Sequence, residues 1–273
     1  MSPHDPTAKR MPMPKGLLLD LDGVLYVDDK LIQGAVTTID WLNAQRLPFR
    51  YITNTSTKTR DQLLAKLERL GLPVREEQVF SAVQASEAWL EAQSISRIAA
   101  LVCDSVRLSL QERFEFDEST PEAVLIGDIG QAWDYDRLNQ AFHWLLAGAK
   151  LVCVHRNRYW RTGDGLSLDI GAFVAALEYA ADVQAVVIGK PSVSFFRAAC
   201  DSMGLSPEQV LVVGDDVETD VGGGQSCGCQ GVLVETGKYH PDLVARSAVV
   251  PDCLLRSIAD LPALLGGCAG NGG

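Results

Sequence analysis

Asp20 and Asp22 sit two positions apart at the end of the apolar run Gly16–Leu19, and Gly23 follows them. In an extended strand, positions i and i+2 face the same side, so the two carboxylates emerge together. Carboxylates paired in this way can serve as nucleophile and as general acid or base, or can hold a hard cation. A second acidic group, Asp215, Asp216 and Asp220, follows the apolar run Val210–Gly214. If a helix starts there, Asp216 and Asp220 share one face at i and i+4. Acidic residues at a helix start also complement its dipole, which accounts for one or two carboxylates but not for two clusters at two strand ends. Bringing both clusters into one crevice sets like charges together and raises their pKa values unless a cation offsets them. Oxygen ligands with no His or Cys close by point to Mg²⁺ rather than zinc.

Two further stretches end apolar runs. Ile52-Thr53-Asn54-Thr55-Ser56 offers hydroxyls and an amide, which suit either an anion or the N-cap of a helix near Arg60. Gly189-Lys190-Pro191-Ser192 resembles a helix start, and Lys190 adds a cation where an anion could meet it. Two other patterns fail on spacing. Gly231–Lys238 has five residues between its glycines instead of four, and Tyr239 stands where a phosphate loop needs Ser or Thr. Gly222-Gly223-Gly224 does not extend to a dinucleotide fingerprint, because Cys227 falls on the last position.

The elements that must position these residues alternate. The short apolar runs Gly16–Leu19, Phe49–Thr53, Ala185–Gly189, Val210–Gly214 and Gly231–Val234 read as strands buried on both faces. Amphipathic stretches between them, 35–45, 60–70, 192–203 and 220–227, read as helices, with Gly71 and Gly204 placed as C-terminal caps. This alternation predicts an α/β fold, a doubly wound, Rossmann-like parallel sheet whose ligands bind beyond the strands' C-terminal ends. Thr53 and Lys190 stand 137 positions apart, far more than one crossover needs. The stretch between them has its own strands (97–103, 123–127, 150–155), its own helices (135–148, 171–181) and four of the five tryptophans. The expected organisation is a discontinuous core of residues 15–82 and 183–265, an inserted α/β cap of residues 83–182, and loose termini 1–14 and 266–273. Arg156, Arg158 and Arg161 concentrate in one stretch of the cap, read either as a solvated loop or as an edge that meets a ligand.

The chain has 273 residues, 47% of them apolar and 22% charged, with a formal net charge of −11. That composition excludes a disordered or fibrous chain and argues against attraction to nucleic acid or an anionic membrane. Seven cysteines, an odd number, do not form the even framework of a small secreted protein, and Cys227-Gly-Cys229 is too tight for a usual zinc half-site. Neither a signal peptide nor a membrane span is legible, so a cytoplasmic location is expected.

Taken in order, DLDGV, Thr53, Lys190 and GDDVETD resemble the haloacid dehalogenase superfamily of phosphohydrolases, over about Lys15 to Leu265. The long insertion is similar to the type-two cap of the NagD-like phosphatases, and within that group the phrases RYWRTGDGLSLD, ALEYA, GKPS, GDDVETDVGG and ETGKY resemble its members. The resemblance implies a Mg²⁺-dependent phosphatase acting on a small phosphorylated substrate: a phosphomonoester, a phosphoamide or pyrophosphate. It implies Asp20 as nucleophile, Asp22 as acid and base, Thr53 and the Asn54 backbone as phosphoryl ligands, and Lys190 as the offsetting charge. Mg²⁺ would be held by Asp20, the Asp22 carbonyl and Asp215, with Asp216 and Asp220 behind them, and a homodimer would form through the cap. Asp22 speaks against the dehalogenase branch, which lacks that aspartate. A phosphotransferase using the same aspartyl-phosphate, or a non-catalytic phosphate-binding or signalling protein, remains the alternative. A receiver domain uses similar residues in a different chain order and carries no cap.

Overall fold

The structure is a computed structural model that describes residues 13–162 and 165–266. The expectations for residues 1–12 and 267–273, and for Gly163 and Asp164 of the arginine-containing loop, lie outside the described residues.

In chain order the strands are β1 (Gly16–Asp20), β2 (Tyr26–Val27), β3 (Lys30–Leu31), β4 (Phe49–Thr53), β5 (Val79–Ser81), β6 (Arg97–Leu101), β7 (Glu115–Phe116) and β8 (Ala123–Ile126). They continue with β9 (Lys150–Cys153), β10 (Tyr159–Thr162), β11 (Gly165–Leu168), β12 (Val186–Val187), β13 (Val210–Gly214), β14 (Gln230–Val234) and β15 (Cys253–Leu255). The helices that matter here are α1 (Ala35–Ala44), α2 (Arg60–Arg69), α3 (Ala82–Ala92), α4 (Asp104–Gln111), α5 (Tyr135–Leu146), α6 (Ile170–Ala181), α7 (Val193–Asp201) and α8 (Gly223–Cys227).

Two parallel sheets result. The first runs β15-β14-β13-β1-β4-β5 and the second runs β12-β9-β8-β6-β7. Each is an α/β sheet with helices on its faces, as the alternation of apolar runs and amphipathic stretches predicts. In the first sheet, Leu17, Leu19, Tyr51, Leu211 and Val213 face one apolar cluster with α1 and α2. Leu18, Ile52, Val210 and Val212 face the other way. The second sheet alternates likewise: Ala99, Val124, Ile126 and Leu151 pack beneath α5 and α6 with Trp144. Its opposite residues, Ile98, Ala100, Leu125 and Val152, join the same cluster as Leu18 and Val212. The two sheets therefore share one apolar layer, in which α3 packs against β5 and α7.

One strand differs from its sequence reading. The apolar run Ala185–Gly189 does not lie in the first sheet: Val186 and Val187 pair with Val152 and Cys153 of β9. The pairing continues as the Ile188 and Gly189 amides donate to the Cys153 and Val154 carbonyls. A short apolar run fits either sheet by pattern alone, and the partner is chosen by tertiary position. Lys190, three positions beyond Val187, is therefore delivered by the second sheet to the edge of the first.

The helix starts are chemically ordinary. Thr59, rather than the hydroxyls at 53–56, caps α2 in a reciprocal pair with Gln62. Gly71, in the left-handed region at φ 77°, follows the end of α2 and donates to the Glu68 carbonyl.

Candidate active site

β1, β4 and β13 lie side by side and end together, which brings Asp20, Thr53 and the turn after Gly214 to one edge. Asp20, Asp215 and Asp220 form a buried acidic cluster with one oxygen from each lying within 4.8 Å of the others. Lys190 bridges two of them: its Nζ is 2.7 Å from Asp20 Oδ1 and 2.6 Å from Asp220 Oδ1. Asp20 Oδ1 also accepts from the Leu21 amide at 2.8 Å. Burial alone lowers the Lys190 ammonium, but the two carboxylates outweigh it and hold the group above the ordinary lysine range.

The acidic turn divides its work. Asp216 Oδ1 accepts from the Glu218 and Thr219 amides, so its carboxylate caps the helical turn Val217–Gly222, and its own amide donates to Asp220 Oδ2. Asp220 is thus held by that amide on one oxygen and by Lys190 on the other. Burial and the Asp20 charge push its carboxyl up, against the pull of Lys190.

Asp215 has a different environment. Oδ2 accepts from the Lys238 amide at 2.7 Å, while Oδ1 is buried with no hydrogen-bond partner. Burial, then the charges of Asp20 and Asp220, push its carboxyl up to about 8. A buried carboxylate oxygen without a partner is costly and calls for a positive charge. The donor set around it is all oxygen, with no nitrogen or sulfur ligand in the cluster, which fits a hard divalent cation.

Two glycines admit the Asp215 carboxylate. Gly23 and Gly237 hold φ values of 85° and 62°, and a Cβ on either would fall within 2.0 Å of Asp215 Oδ2. Thr236 ties the two loops together by donating to the Gly23 carbonyl. The segment 236–238 was discarded in the sequence as a failed phosphate loop, and only its chain-distant contact with Asp215 reveals its role.

Asp22 is separate from the cluster. The residue is exposed, and Tyr26 Oη donates to its Oδ2 at 3.4 Å. Partial desolvation raises its carboxyl, against the pull of Lys66, Lys238 and Lys190. Thr53 is buried, with Oγ1 2.8 Å from Thr55 Oγ1 and accepting from the Thr55 amide. Asn54 uses its side chain on Lys190: Nδ2 donates to the Lys190 carbonyl at 2.9 Å and Oδ1 accepts from the Lys190 amide at 2.8 Å.

Lys238 and His155 complete the surroundings and were not singled out for chemistry in the sequence. Burial lowers the Lys238 ammonium, but Asp215, Asp20, Asp220 and Asp216 together raise it. His155 follows β9 and is buried; burial and the charge of Lys238 push its imidazole down to about 4, so it is neutral near pH 7. In the arginine-containing loop, Arg156 pairs with Glu178 of α6.

The family described as haloacid dehalogenase-like hydrolase matches residues 17–113, and a second model of the same kind, HAD-hydrolase-like, matches residues 187–261. The chain is 39% identical over 226 residues to the human haloacid dehalogenase-like hydrolase domain-containing protein 2, covering 83% of this chain and 86% of that protein. It is 36% identical over 266 residues to the human phospholysine phosphohistidine inorganic pyrophosphate phosphatase, covering 95% and 97%. The 4-nitrophenylphosphatase of Thermotoga maritima superposes with a TM-score of 0.86 at 25% identity, covering 92% of this chain and 97% of that one. NagD of E. coli shares the fold, with a TM-score of 0.83 at 23% identity over 91% and 98%. The chain belongs to the haloacid dehalogenase-like hydrolases, and within them it is an enzyme of the phosphatase type.

Proposed function

We propose that the protein is a Mg²⁺-dependent phosphatase that hydrolyses small phosphorylated substrates through an aspartyl-phosphate at Asp20. The observation that carries the reading is the bridge of Lys190 between Asp20 and Asp220, beside the unpartnered oxygen of Asp215. In this reading an Asp20 oxygen attacks phosphorus, the P–O or P–N bond to the leaving group breaks, and an acyl-phosphate forms. Asp22 gives its proton to the departing atom, then takes one from the water that cleaves the acyl-phosphate. Its raised carboxyl and its exposed position, apart from the cluster, suit that exchange. Thr53 and the Asn54 amide would hold phosphoryl oxygens, and Lys190 would offset the charge that Asp20 and the phosphoryl group bring together.

Asp20, the Asp22 carbonyl and Asp215 would hold Mg²⁺, which when bound neutralises phosphoryl charge. Asp220 would then act through Lys190, which it grips, and Asp216 through the turn that it caps. Relatives named for phospholysine, phosphohistidine, pyrophosphate and 4-nitrophenyl phosphate make phosphoamides, pyrophosphate and phosphomonoesters the substrate classes to examine. The same reading includes a cytoplasmic location, consistent with the free cysteines among the described residues, and a homodimer formed through the cap. Among the described residues no helix is long and apolar enough to cross a membrane.

The test is phosphate release from a panel of these compounds, with Mg²⁺ and with EDTA. Turnover that needs Mg²⁺ is expected. Full turnover after exhaustive metal removal, or no release from any member of the panel with Mg²⁺, would defeat the reading.

A further inference from the structure

The turn of the β2–β3 hairpin, the loop that follows Thr53, and α2 line a cavity of about 400 Å³ that opens to solvent. Its lining includes Lys58, Lys66 and Arg69, with Asp29 as the one carboxylate and Thr57 and Gln62 as neutral polar groups. Three cations against one anion is an unusual local balance in a chain of net charge −11.

Asp29 does not consume that charge. It is 71% exposed, and its Oδ1 lies 3.8 Å from Lys66 Nζ and 3.4 Å from Arg69 Nη2. Loose contacts of this kind at the surface bind weakly and are screened by water and salt. Lys66 is different, since its side chain is only 12% exposed and its ammonium stands 4.0 Å over the Tyr26 ring. The same Tyr26 donates its hydroxyl to Asp22, so one ring separates this wall of the cavity from Asp22. On the other side, Ser105 in α4 reaches the Thr57 carbonyl at 3.5 Å. The cavity therefore adjoins the contact between α4 and the loop after Thr53, with the Tyr26 ring between its Lys66 wall and Asp22.

We propose that this cavity is an anion site, which receives a carboxylate or phosphate group on the Tyr26 side of Asp22. The inference rests on the phosphatase reading for its substrate role, though not for the binding of an anion. Its volume suits a small anionic group together with part of the carbon skeleton that bears it. Lys66 would offer a largely desolvated charge, Lys58 and Arg69 the rim, and Thr57 and Gln62 neutral hydrogen bonds. The anion has two possible sources: the distal group of the substrate, or free inorganic phosphate.

The experiment compares 3-phosphoglycerate with glycerol 3-phosphate, which differ in a distal carboxylate, using wild type, Lys58→Met and Lys66→Met. Methionine keeps the apolar stem and removes the charge. If the distal group binds here, each variant lowers kcat/KM for 3-phosphoglycerate about tenfold relative to glycerol 3-phosphate. Lys66→Met can also change both esters equally through Asp22, so the ratio of the two is the reading, and Lys58→Met is its independent check.

A second arm measures thermal stabilisation of the metal-free proteins by inorganic phosphate and needs no turnover. Stabilisation of wild type that is lost in both variants, with an unchanged ester ratio, assigns the site to free phosphate and supports it as an anion site. If wild type hydrolyses neither ester, the phosphatase reading suffers, and the thermal arm alone decides this one. An unchanged ester ratio with equal phosphate stabilisation in all three proteins overturns the proposal. So does equal stabilisation, or none, where neither ester is turned over.

Discussion

Asn54 and Lys190 are joined by two reciprocal hydrogen bonds, side-chain amide to main-chain carbonyl and main-chain amide to side-chain oxygen, at 2.9 and 2.8 Å. Asn54 follows the first sheet's β4 and Lys190 follows the second sheet's β12, so this pair fixes one sheet against the other at the point where Lys190 reaches Asp20. A lysine set by its main chain needs little rearrangement to hold its ammonium between two carboxylates.

Replacing the clamp tests that role. Asn54→Ala removes both bonds and leaves two main-chain groups of Lys190 without their partner, at a cost of about 1–3 kcal/mol. The expected outcome is a lower Tm together with a fall in kcat of about ten- to a hundredfold, since a misplaced catalytic group is costly. Steady-state kinetics on a folded sample decide it. A Tm loss with unchanged kcat would make the clamp purely structural.

Gly237 makes a sharper case. A Cβ there would lie 2.0 Å from Asp215 Oδ2, and its φ of 62° is in the left-handed region, which costs a side chain about 1–2 kcal/mol. Gly237→Ala should displace the Asp215 carboxylate and weaken Mg²⁺ binding far more than it lowers Tm. Isothermal titration of Mg²⁺ into the metal-free variant measures this, and wild-type affinity would contradict it.

The pH dependence follows from Asp215. Without metal its carboxyl is pushed up to about 8, against an ordinary value near 4. The folded chain then binds a proton that the unfolded chain has released, so this group's contribution to stability declines as pH rises from about 4 through 8. A cation must displace that proton. Mg²⁺ affinity should therefore tighten by up to about tenfold per pH unit between pH 6 and 8 and level off above that. Calorimetric titration at pH 6, 7, 8 and 9 checks the slope; an affinity independent of pH would show that Asp215 is already ionised in the metal-free protein.

Much of this site was readable before any coordinates, and the reasons are local. Asp20 ends one fully buried strand and Asp215 follows another, and carboxylates at the ends of such apolar runs stand out in any parallel sheet. Lys190 stands out as a cation in a turn that Pro191 at a helix start and Ser192 as a nearby cap already explain. The Asn54 clamp and the 236–238 loop did not stand out, because each is defined by a partner more than 20 positions away in sequence. The sheet membership of Val186–Val187 is not legible for a related reason: a two-residue strand carries no pattern that distinguishes one parallel sheet from another.

Asp22 is exposed and stands apart from the acidic cluster, which fits a role separate from that proposed for Asp20. Asp22→Asn should still bind Mg²⁺ while losing about 10²–10⁴-fold in turnover. An aryl phosphate, whose leaving group needs little protonation, should give a burst of aryl alcohol followed by slow turnover. An alkyl phosphate should give no burst. Rapid-quench traces of both substrates provide the measurement, and equal losses with no burst on either would make Asp22 structural.

The central claim is that a covalent acyl-phosphate forms on Asp20. Enzyme quenched during turnover with Mg²⁺ and substrate, treated with borohydride and digested, should yield a peptide with homoserine in place of aspartate at position 20. That product should be absent without substrate, and Asp20→Asn should be folded and inactive. Steady turnover with no reducible adduct on Asp20, joined with activity surviving in Asp20→Asn, would contradict the account.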